Sequence, residues 1–254
     1  MCVMDKMQLW GSQIAKNGFK NEKDIADKFN NWKEDVDAQG WLVAMGYLLE
    51  KIEKVVATTN VPKTSKTDVQ IQVSVFYKDA IEAQNMQVKL VSNGRSGFNQ
   101  VDRRWADDCK AQWNMPDDVV TILKHFSGEL PPKIDNPKDK RRMFMTDFSN
   151  QEQQLVLDWF KKNKTMVVCD ILKGRGEFAA EWILVAKVAD DTTEYILRPM
   201  NNYLSVMGDG NVYITDRGSI RIHNITLQRK GGDGGRFSAN QIQFKVDPLL
   251  LFNE

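Results

Sequence analysis

Two apolar runs of the sequence carry polar side chains of the types that assist phosphodiester hydrolysis. Asp68 directly precedes a run in which apolar and polar residues alternate, and Gln87 and Lys89 lie two residues apart in the next apolar run. Residues i and i+2 of a strand point to the same face, so Gln87 and Lys89 would share a face. An antiparallel pairing of the two runs would bring Asp68 to the same place.

Carboxylate and amide oxygens are hard ligands that suit Mg²⁺, and a lysine ammonium beside the ion can hold and polarise an attacking water. The lysine charge would also offset negative charge that develops in the transition state. The spacing therefore predicts metal-assisted hydrolysis. It leaves open a second interpretation, in which these side chains only cover the solvent face of two strands.

The composition is that of an ordinary globular protein. The chain has 254 residues, of which 42% are hydrophobic, and a formal net charge of +1. No run approaches the roughly 20 apolar residues of a membrane span, and Met1–Lys6 has no apolar segment of a secretion signal. Three scattered cysteines without a CxxC pair argue against a disulfide framework and against structural zinc. We therefore expect a cytoplasmic protein with no membrane partner.

Basic residues concentrate in two segments although the whole chain is nearly neutral. Residues 217–245 hold six Lys or Arg and the single acid Asp233, and residues 138–142 hold four Lys or Arg. A solvated surface would explain one such cluster, whereas two favour a polyanionic partner. The first cluster also contains amide side chains, which can contact base edges in nucleic acids.

The elements that must position these groups change in type along the chain. Apolar periodicity predicts helices over about 20–38, 41–56 and 100–126, with a break near Pro116, and a further helix after a capping box formed by Ser149 and Glu152. Strands are predicted over 69–75, 86–91, 166–172, 182–188, 195–198, 212–214, 225–228 and 242–246. This order predicts an α/β (α+β mixed) fold and not a regular βαβ repeat.

The segments 68–73, 87–93 and 97–100 resemble the catalytic core of the HinP-type family of type II restriction endonucleases, which cleave GCGC. Segments 18–27, 138–146, 174–182 and 228–233 resemble the same family in the same order. The resemblance implies a PD-(D/E)xK nuclease core, with a central mixed sheet flanked by helices. It implies one domain over 1–254, with N-terminal helices and the catalytic core over about 1–130 and a DNA-recognition part over about 131–254.

The same resemblance implies roles for the polar residues of the two apolar runs. Asp68, Gln87 and the carbonyl of Val88 would hold one or two Mg²⁺ ions, and Lys89 would orient the nucleophilic water. Gln87 stands where the motif usually has an acid, a substitution that the HinP-type enzymes share. In many nucleases of this fold an acid of the N-terminal helix also contacts the metal. Glu22 is the candidate here, with a solvated helix acid as the alternative.

The implied partner is double-stranded DNA. We expect phosphate contacts from the basic residues of the two segments, namely Lys138, Lys140, Arg141, Arg142, Arg229 and Lys230. Gln228 would also contact DNA, because an amide can reach base edges as well as phosphate. Gln243 and Lys245 would share one strand face and, with Asn240, contact the bases of a G·C-rich site. The alternative for that pair is a strand edge at the periphery of the core. Asn93 and Gln100, in the loop expected after Lys89, would reach the groove.

These implications describe a type II enzyme of a restriction-modification system, whose methyltransferase is a genetic and not a physical partner. A palindromic site leaves open a homodimer or a monomer that nicks each strand in turn. Two rival functions also stay open. They are a structure-selective DNA-repair nuclease with the same core and a non-catalytic DNA-binding protein on this scaffold.

Overall fold

The structure, a computed structural model, describes Asn17 and residues 20–59, 71–92, 99–189 and 192–253. The chain divides into two compact units. The first comprises Met1–Gly97, Lys173–Tyr203 and Pro248–Glu254, and the second comprises Phe98–Leu172 and Leu204–Asp247. These limits do not coincide with the expected division near residue 130, and how the two parts share the function stays a prediction. No helix among the described residues is long and apolar enough to cross a membrane.

The described residues form six α-helices and ten strands. The helices are α1 (residues 20–30), α2 (Val36–Ala44), α3 (Ala106–Trp113), α4 (Asp117–Ser127), α5 (Asn150–Leu172) and α6 (Met200–Gly208). The strands are β1 (Lys54–Thr58), β2 (Ile71–Phe76), β3 (Ile81–Ser92), β4 (Asn99–Arg104), β5 (Trp182–Ala189), β6 (Thr192–Pro199), β7 (Val212–Ile214), β8 (Ile220–Ile222), β9 (Ile225–Arg229) and β10 (Ile242–Val246).

The centre of the first unit is a mixed sheet with the strand order β1-β2-β3-β5-β6. β3 pairs antiparallel with β2, which places Ile71 opposite Met86, and parallel with β5, which places Gln87 opposite Ile183. The predicted hairpin and the predicted mixed sheet are therefore confirmed. The face that holds Met86 and Val88 packs against apolar residues of α1 and α2 in one core.

The two N-terminal helices have different limits from those predicted. α1 ends at residue 30, and α2 starts anew because the Oδ1 of Asp35 accepts a hydrogen bond from the backbone N–H of Ala38 at 2.9 Å. The chain leaves α2 through Gly46, whose φ of 93° suits only a residue without a Cβ. The predicted helix over 41–56 is thus wrong, since its last residues belong to β1.

The second unit contains an antiparallel sheet with the strand order β4-β10-β9-β8-β7. One face is covered by helices, as shown by Phe244 of β10, whose ring packs edge-on against Trp113 of α3 with the centroids 5.9 Å apart. Arg104 lies opposite Ile242 on this covered face and contacts Asp170 of α5. We call the covered face the helical side and the opposite one the polar face.

Two further predictions of secondary structure in this unit are wrong. Residues 99–104 form β4 and not the start of a helix. Residues 166–172 are the end of α5, where the buried apolar residues Val167, Val168, Ile171 and Leu172 follow helical spacing. The capping box that starts α5 is confirmed, because Ser149 and Glu152 exchange hydrogen bonds of 3.0 and 3.3 Å.

Candidate active site and nucleic-acid interface

Gln87 and Lys89 lie side by side on β3 and point away from the core formed with α1 and α2. Their side chains are 0% and 9% exposed, and their partners on β5 are the buried residues Ile183 and Val185. Two polar side chains are thus enclosed in an apolar part of the sheet. Such burial costs free energy, which is the usual sign of a functional requirement.

Asp68 and Asn93 lie outside the described residues, and their roles stay predictions. The register still locates the end of the hairpin that matters. β2 begins at Ile71, opposite Met86, directly before Gln87. The first described residue of β2 therefore lies next to the part of β3 that carries the two polar side chains.

Glu22 of α1 lies close to this group. Its side chain is half-buried, and burial raises the pKa of its carboxyl, while the positive charge of Lys89 acts to lower it. The carboxylate is therefore within electrostatic reach of the lysine ammonium. Asp24 and Asp27 of the same helix are exposed. The role of Glu22 as a metal ligand stays a prediction. The effect of the Lys89 charge on the pKa of the Glu22 carboxyl shows that the two side chains are neighbours.

The oxygen donors gathered here fit a hard divalent cation. They are the amide of Gln87, the carboxylate of Glu22 and the carbonyl of Val88, whose side chain is held in the core and leaves only its backbone to act. Within the described residues no group of three or more His, Cys, Asp or Glu could hold a metal ion. Oxygen donors of this kind are the ligands that hard divalent cations prefer.

Asn85 shares the strand face of Gln87 and was not predicted. Its Nδ2 donates to the carbonyl of Glu177 at 2.8 Å, and its backbone N–H donates to the carboxylate of Glu181 at 3.0 Å. These bonds tie the segment that leads into β5 to the strand that carries Gln87. The position of Asn85 two residues before Gln87, on the same strand face, is the sequence feature that could have indicated its role.

The polar face of the second sheet carries the amide and lysine side chains predicted to contact bases. Gln243 lies opposite Gln228, and Lys245 lies opposite Thr226. The Nε2 of Gln243 donates to the Oε1 of Gln100, which belongs to β4 and not to the predicted loop. Gln243 is 7% exposed. Gln100 is exposed, so the pair presents the Gln100 amide to solvent.

Lys245 differs from Gln100 in its surroundings. Its side chain is half-buried, and burial lowers the pKa of its ammonium group. No carboxylate among the described residues forms an ion pair with it. A cation held in this state gains most from a ligand that supplies negative charge or acceptors.

The two basic segments of the sequence meet beside Gly128, at the end of α4. A Cβ at Gly128 would lie 2.7 Å from the carbonyl oxygen of Arg141 and 3.3 Å from the Nε of Arg229. We call Arg141, Arg142 and Arg229 the arginine cluster. Burial lowers the pKa of Arg142, and the charge of Arg229 acts in the same direction. Sequence distance hid this convergence, because the segments are far apart in the chain.

The members of the arginine cluster already have protein partners. Arg141 binds Asp139 through two bonds of 2.8 and 2.9 Å, and Arg142 lies over the ring of Phe144 at 4.1 Å. The Nη2 of Arg229 donates to the Oδ1 of Asn240 at 2.8 Å. Arg229 and Asn240 therefore lie on the helical side, unlike the neighbouring Gln228.

Three lysines complete the two basic segments. Lys138 is mostly exposed, with its Nζ 3.4 Å from Asp147, and Lys140 is exposed. Lys230 follows β9, and its backbone N–H donates to the carbonyl of Gln241 at 2.8 Å. The predicted DNA contacts of all these residues stay predictions.

Comparisons with known proteins agree with this architecture. The model of the R.HinP1I restriction endonuclease family matches residues 45–252. Among solved structures the chain is similar to the restriction endonuclease MspI in complex with its cognate DNA, with a TM-score of 0.66 and 11% identity over 95% of this chain and 94% of that chain. At that identity the likeness shows the fold. No curated protein sequence matches the chain.

Proposed function

Because the chain belongs to the R.HinP1I restriction endonuclease family, it is a restriction endonuclease, and we propose that it cleaves double-stranded DNA at GCGC with Mg²⁺ as its cofactor. The observation that carries the proposal is the pair of polar side chains enclosed on β3, Gln87 and Lys89, with Glu22 close to the lysine. Enzymes of this class use a divalent metal ion, and the oxygen donors around Gln87 favour Mg²⁺.

The chemistry divides among a few side chains. The ammonium of Lys89 donates a hydrogen bond to the attacking water and so aligns it with the scissile phosphorus. Its positive charge also offsets the charge that builds on the phosphate oxygens. Gln87, the Val88 carbonyl, Asp68 and Glu22 would hold the metal. A bound Mg²⁺ supplies Lewis-acid stabilisation of the phosphate and lowers the pKa of a coordinated water.

Base recognition is assigned to the polar face of the second sheet. The major groove of GCGC offers guanine O6 and N7 acceptors and cytosine N4 donors. The ammonium of Lys245 matches the guanine acceptors, and the amide of Gln100 offers both a donor and an acceptor. Gln243 belongs to the same group, because its hydrogen bond fixes the orientation of the Gln100 amide.

Phosphate contacts supply affinity without sequence preference. The exposed Lys138 and Lys140, with Lys230, suit this task directly. Arg141, Arg142 and Arg229 lie close enough to interact electrostatically and would act as one positively charged patch, to which a hydrogen bond from Arg229 joins Asn240.

The test is cleavage of unmodified plasmid DNA in Mg²⁺, with the ends of the fragments mapped. We expect discrete bands that begin and end within GCGC, no cleavage in a chelator, and protection when the site is methylated beforehand by a cognate methyltransferase. Smeared products would indicate a structure-selective nuclease, and intact plasmid a non-catalytic DNA-binding protein. The mass of the complex with duplex DNA would separate a monomer from a homodimer. We place the reaction in the cytoplasm, where methylation would protect the cell's own DNA from cleavage.

A further inference from the structure

A cavity of about 380 Å³ opens on the polar face of the second sheet, next to the group assigned to base recognition. β7, β8, β9 and β10 all contribute to it, together with the turn between β7 and β8. The side chains that matter here are Tyr213, Arg217, Arg221, Thr226, Gln228 and Lys245. No function was assigned above to Tyr213, Arg217, Arg221 or Thr226.

The charge of this cavity is one-sided. Arg217, Arg221 and Lys245 are cationic, and no acidic residue among the described ones lines the cavity. Within the described part of the chain none of the three forms an ion pair with a carboxylate. An anion that enters the cavity would therefore meet positive charge that no described carboxylate offsets.

The strand register arranges the cations in a row. Arg221 lies opposite Thr226, which lies opposite Lys245, and Tyr213 stands on the other side of Arg221. Neighbouring strands are about 4.8 Å apart, so Arg221 and Lys245 are separated by roughly 10 Å across the sheet. The Nη1 of Arg221 donates to the Oγ1 of Thr226, which orients the guanidinium over the sheet. Arg217 is exposed in the turn above it.

We propose that the cavity holds a phosphate group of the DNA backbone, with Arg217 and Arg221 as its hydrogen-bond donors, beside the base pair contacted by Lys245. The planar guanidinium fork matches phosphate oxygens, and two arginines at one group suit a diester that carries one negative charge. Burial lowers the pKa of Lys245, which shows that the ammonium group is partly removed from water. The inference rests on the proposed DNA substrate and extends the footprint to β7 and β8.

The experiment measures binding of a labelled GCGC duplex, and of a duplex with one base pair changed, over a range of salt concentrations without Mg²⁺. The variants are Arg217→Gln, Arg221→Gln and Arg221→Lys, where glutamine keeps a donor for Thr226 and lysine keeps the charge. The control is Lys161→Gln on α5, an exposed cation on the helical side of the same sheet. Thermal unfolding reports whether each variant is folded.

A phosphate contact gives a specific pattern. Each glutamine variant should weaken binding of both duplexes by the same factor and reduce the slope of log K against log salt by about 0.9. Arg221→Lys should keep most of the slope, and Lys161→Gln should match the parent protein. If Arg221→Gln proves unstable, Arg217→Gln decides alone, since its side chain is exposed in a turn.

Two results would overturn the inference. Unchanged slopes in both glutamine variants would exclude phosphate from the cavity, and a loss confined to the GCGC duplex would make the arginines base contacts. Failure of the proposed function has a different signature. In that case the parent protein would bind the two duplexes equally, while the slopes of the variants would still test the cavity.

Discussion

The two sheets of this enzyme both bury charged side chains, but among the described residues only the buried cation of the second sheet forms ion pairs with carboxylates. In the second unit Arg104 is enclosed with Asp102 and Asp170, which both bind its guanidinium. Burial alone would lower the pKa of Arg104, yet the two carboxylates outweigh it and raise the pKa. In the first unit Lys89 is enclosed without an ion pair to any described residue, and Glu22 stands near it.

The difference distinguishes a buried cation with a structural role, Arg104, from one with a proposed catalytic role, Lys89. A buried cation with two anionic partners holds α5 to the sheet and has no capacity left for a substrate. A buried cation without such partners is destabilising unless a substrate, a water or a metal site uses it. Burial together with the absence of an ion pair among the described residues therefore supports the catalytic role proposed for Lys89, whereas burial alone would not.

The largest expected effect is on folding. Arg104→Met would leave Asp102 and Asp170 enclosed without their cation and should lower the free energy of unfolding by about 3–5 kcal/mol. Denaturant unfolding measures it, with Lys110→Ala as the control, because the Lys110–Asp117 pair is exposed and screened by solvent, so its loss should change the free energy of unfolding far less. Equal losses of unfolding free energy in the two variants would contradict the structural role of Arg104.

The next effect is on catalysis. Lys89→Ala should lower the rate of GCGC cleavage by at least ~10²-fold and leave DNA binding largely intact, because a transition-state contact is lost. We expect the same class of loss for Asp68→Ala and Gln87→Ala. Lys187→Ala is the matched control, since Lys187 lies on β5 and pairs with Glu194 at 2.6 Å on the surface. Near-normal cleavage by Lys89→Ala would contradict the catalytic role proposed for Lys89 and with it the difference drawn between the two sheets.

A smaller effect concerns base recognition. Gln100→Ala and Lys245→Ala should each cost about 1–3 kcal/mol of binding free energy on the GCGC duplex and far less on a duplex with one base pair changed. If Gln243 acts by holding Gln100, Gln243→Ala combined with Gln100→Ala should lose no more than Gln100→Ala alone. Additive losses would instead mean that Gln243 contacts a base itself.

The smallest effect concerns the basic surface. Lys140→Gln should reduce the slope of log K against log salt by about 0.9, because Lys140 is exposed and has no ion pair with a described residue. Arg141→Gln should reduce this slope by less, because Arg141 already forms an ion pair with Asp139. Equal changes would mean that DNA displaces Asp139 from Arg141.

The strand that carries Gln87 and Lys89 could be predicted from the sequence because its signal is local. The alternation within β2 and the i, i+2 spacing of Gln87 and Lys89 within β3 depend only on neighbouring residues, and the two strands pair as predicted. The parallel partner of β3 could not be predicted in the same way. β5 follows much later in the chain, and no local pattern specifies which distant strand completes a sheet.

The errors have similar causes. Residues 99–104 are rich in polar side chains, so their strand character depends on the buried bonds of Asp102 and Arg104. The convergence of Arg142 with Arg229 depends on the close approach that Gly128 allows, with its φ of 93°. Gln100 was expected in a loop because the pairing of β4 with β10 joins positions 143 residues apart.

The path of the chain has a consequence for how such an enzyme can acquire a new target sequence. The chain passes between its units after residues 97, 172, 203 and 247. The sheet assigned to recognition is thus encoded in two separate stretches, each flanked by parts of the first unit. Recombination with a single breakpoint would therefore exchange parts of both units at once. New specificity in this chain is therefore expected to arise by substitution in place, and a designed chimera would need four junctions.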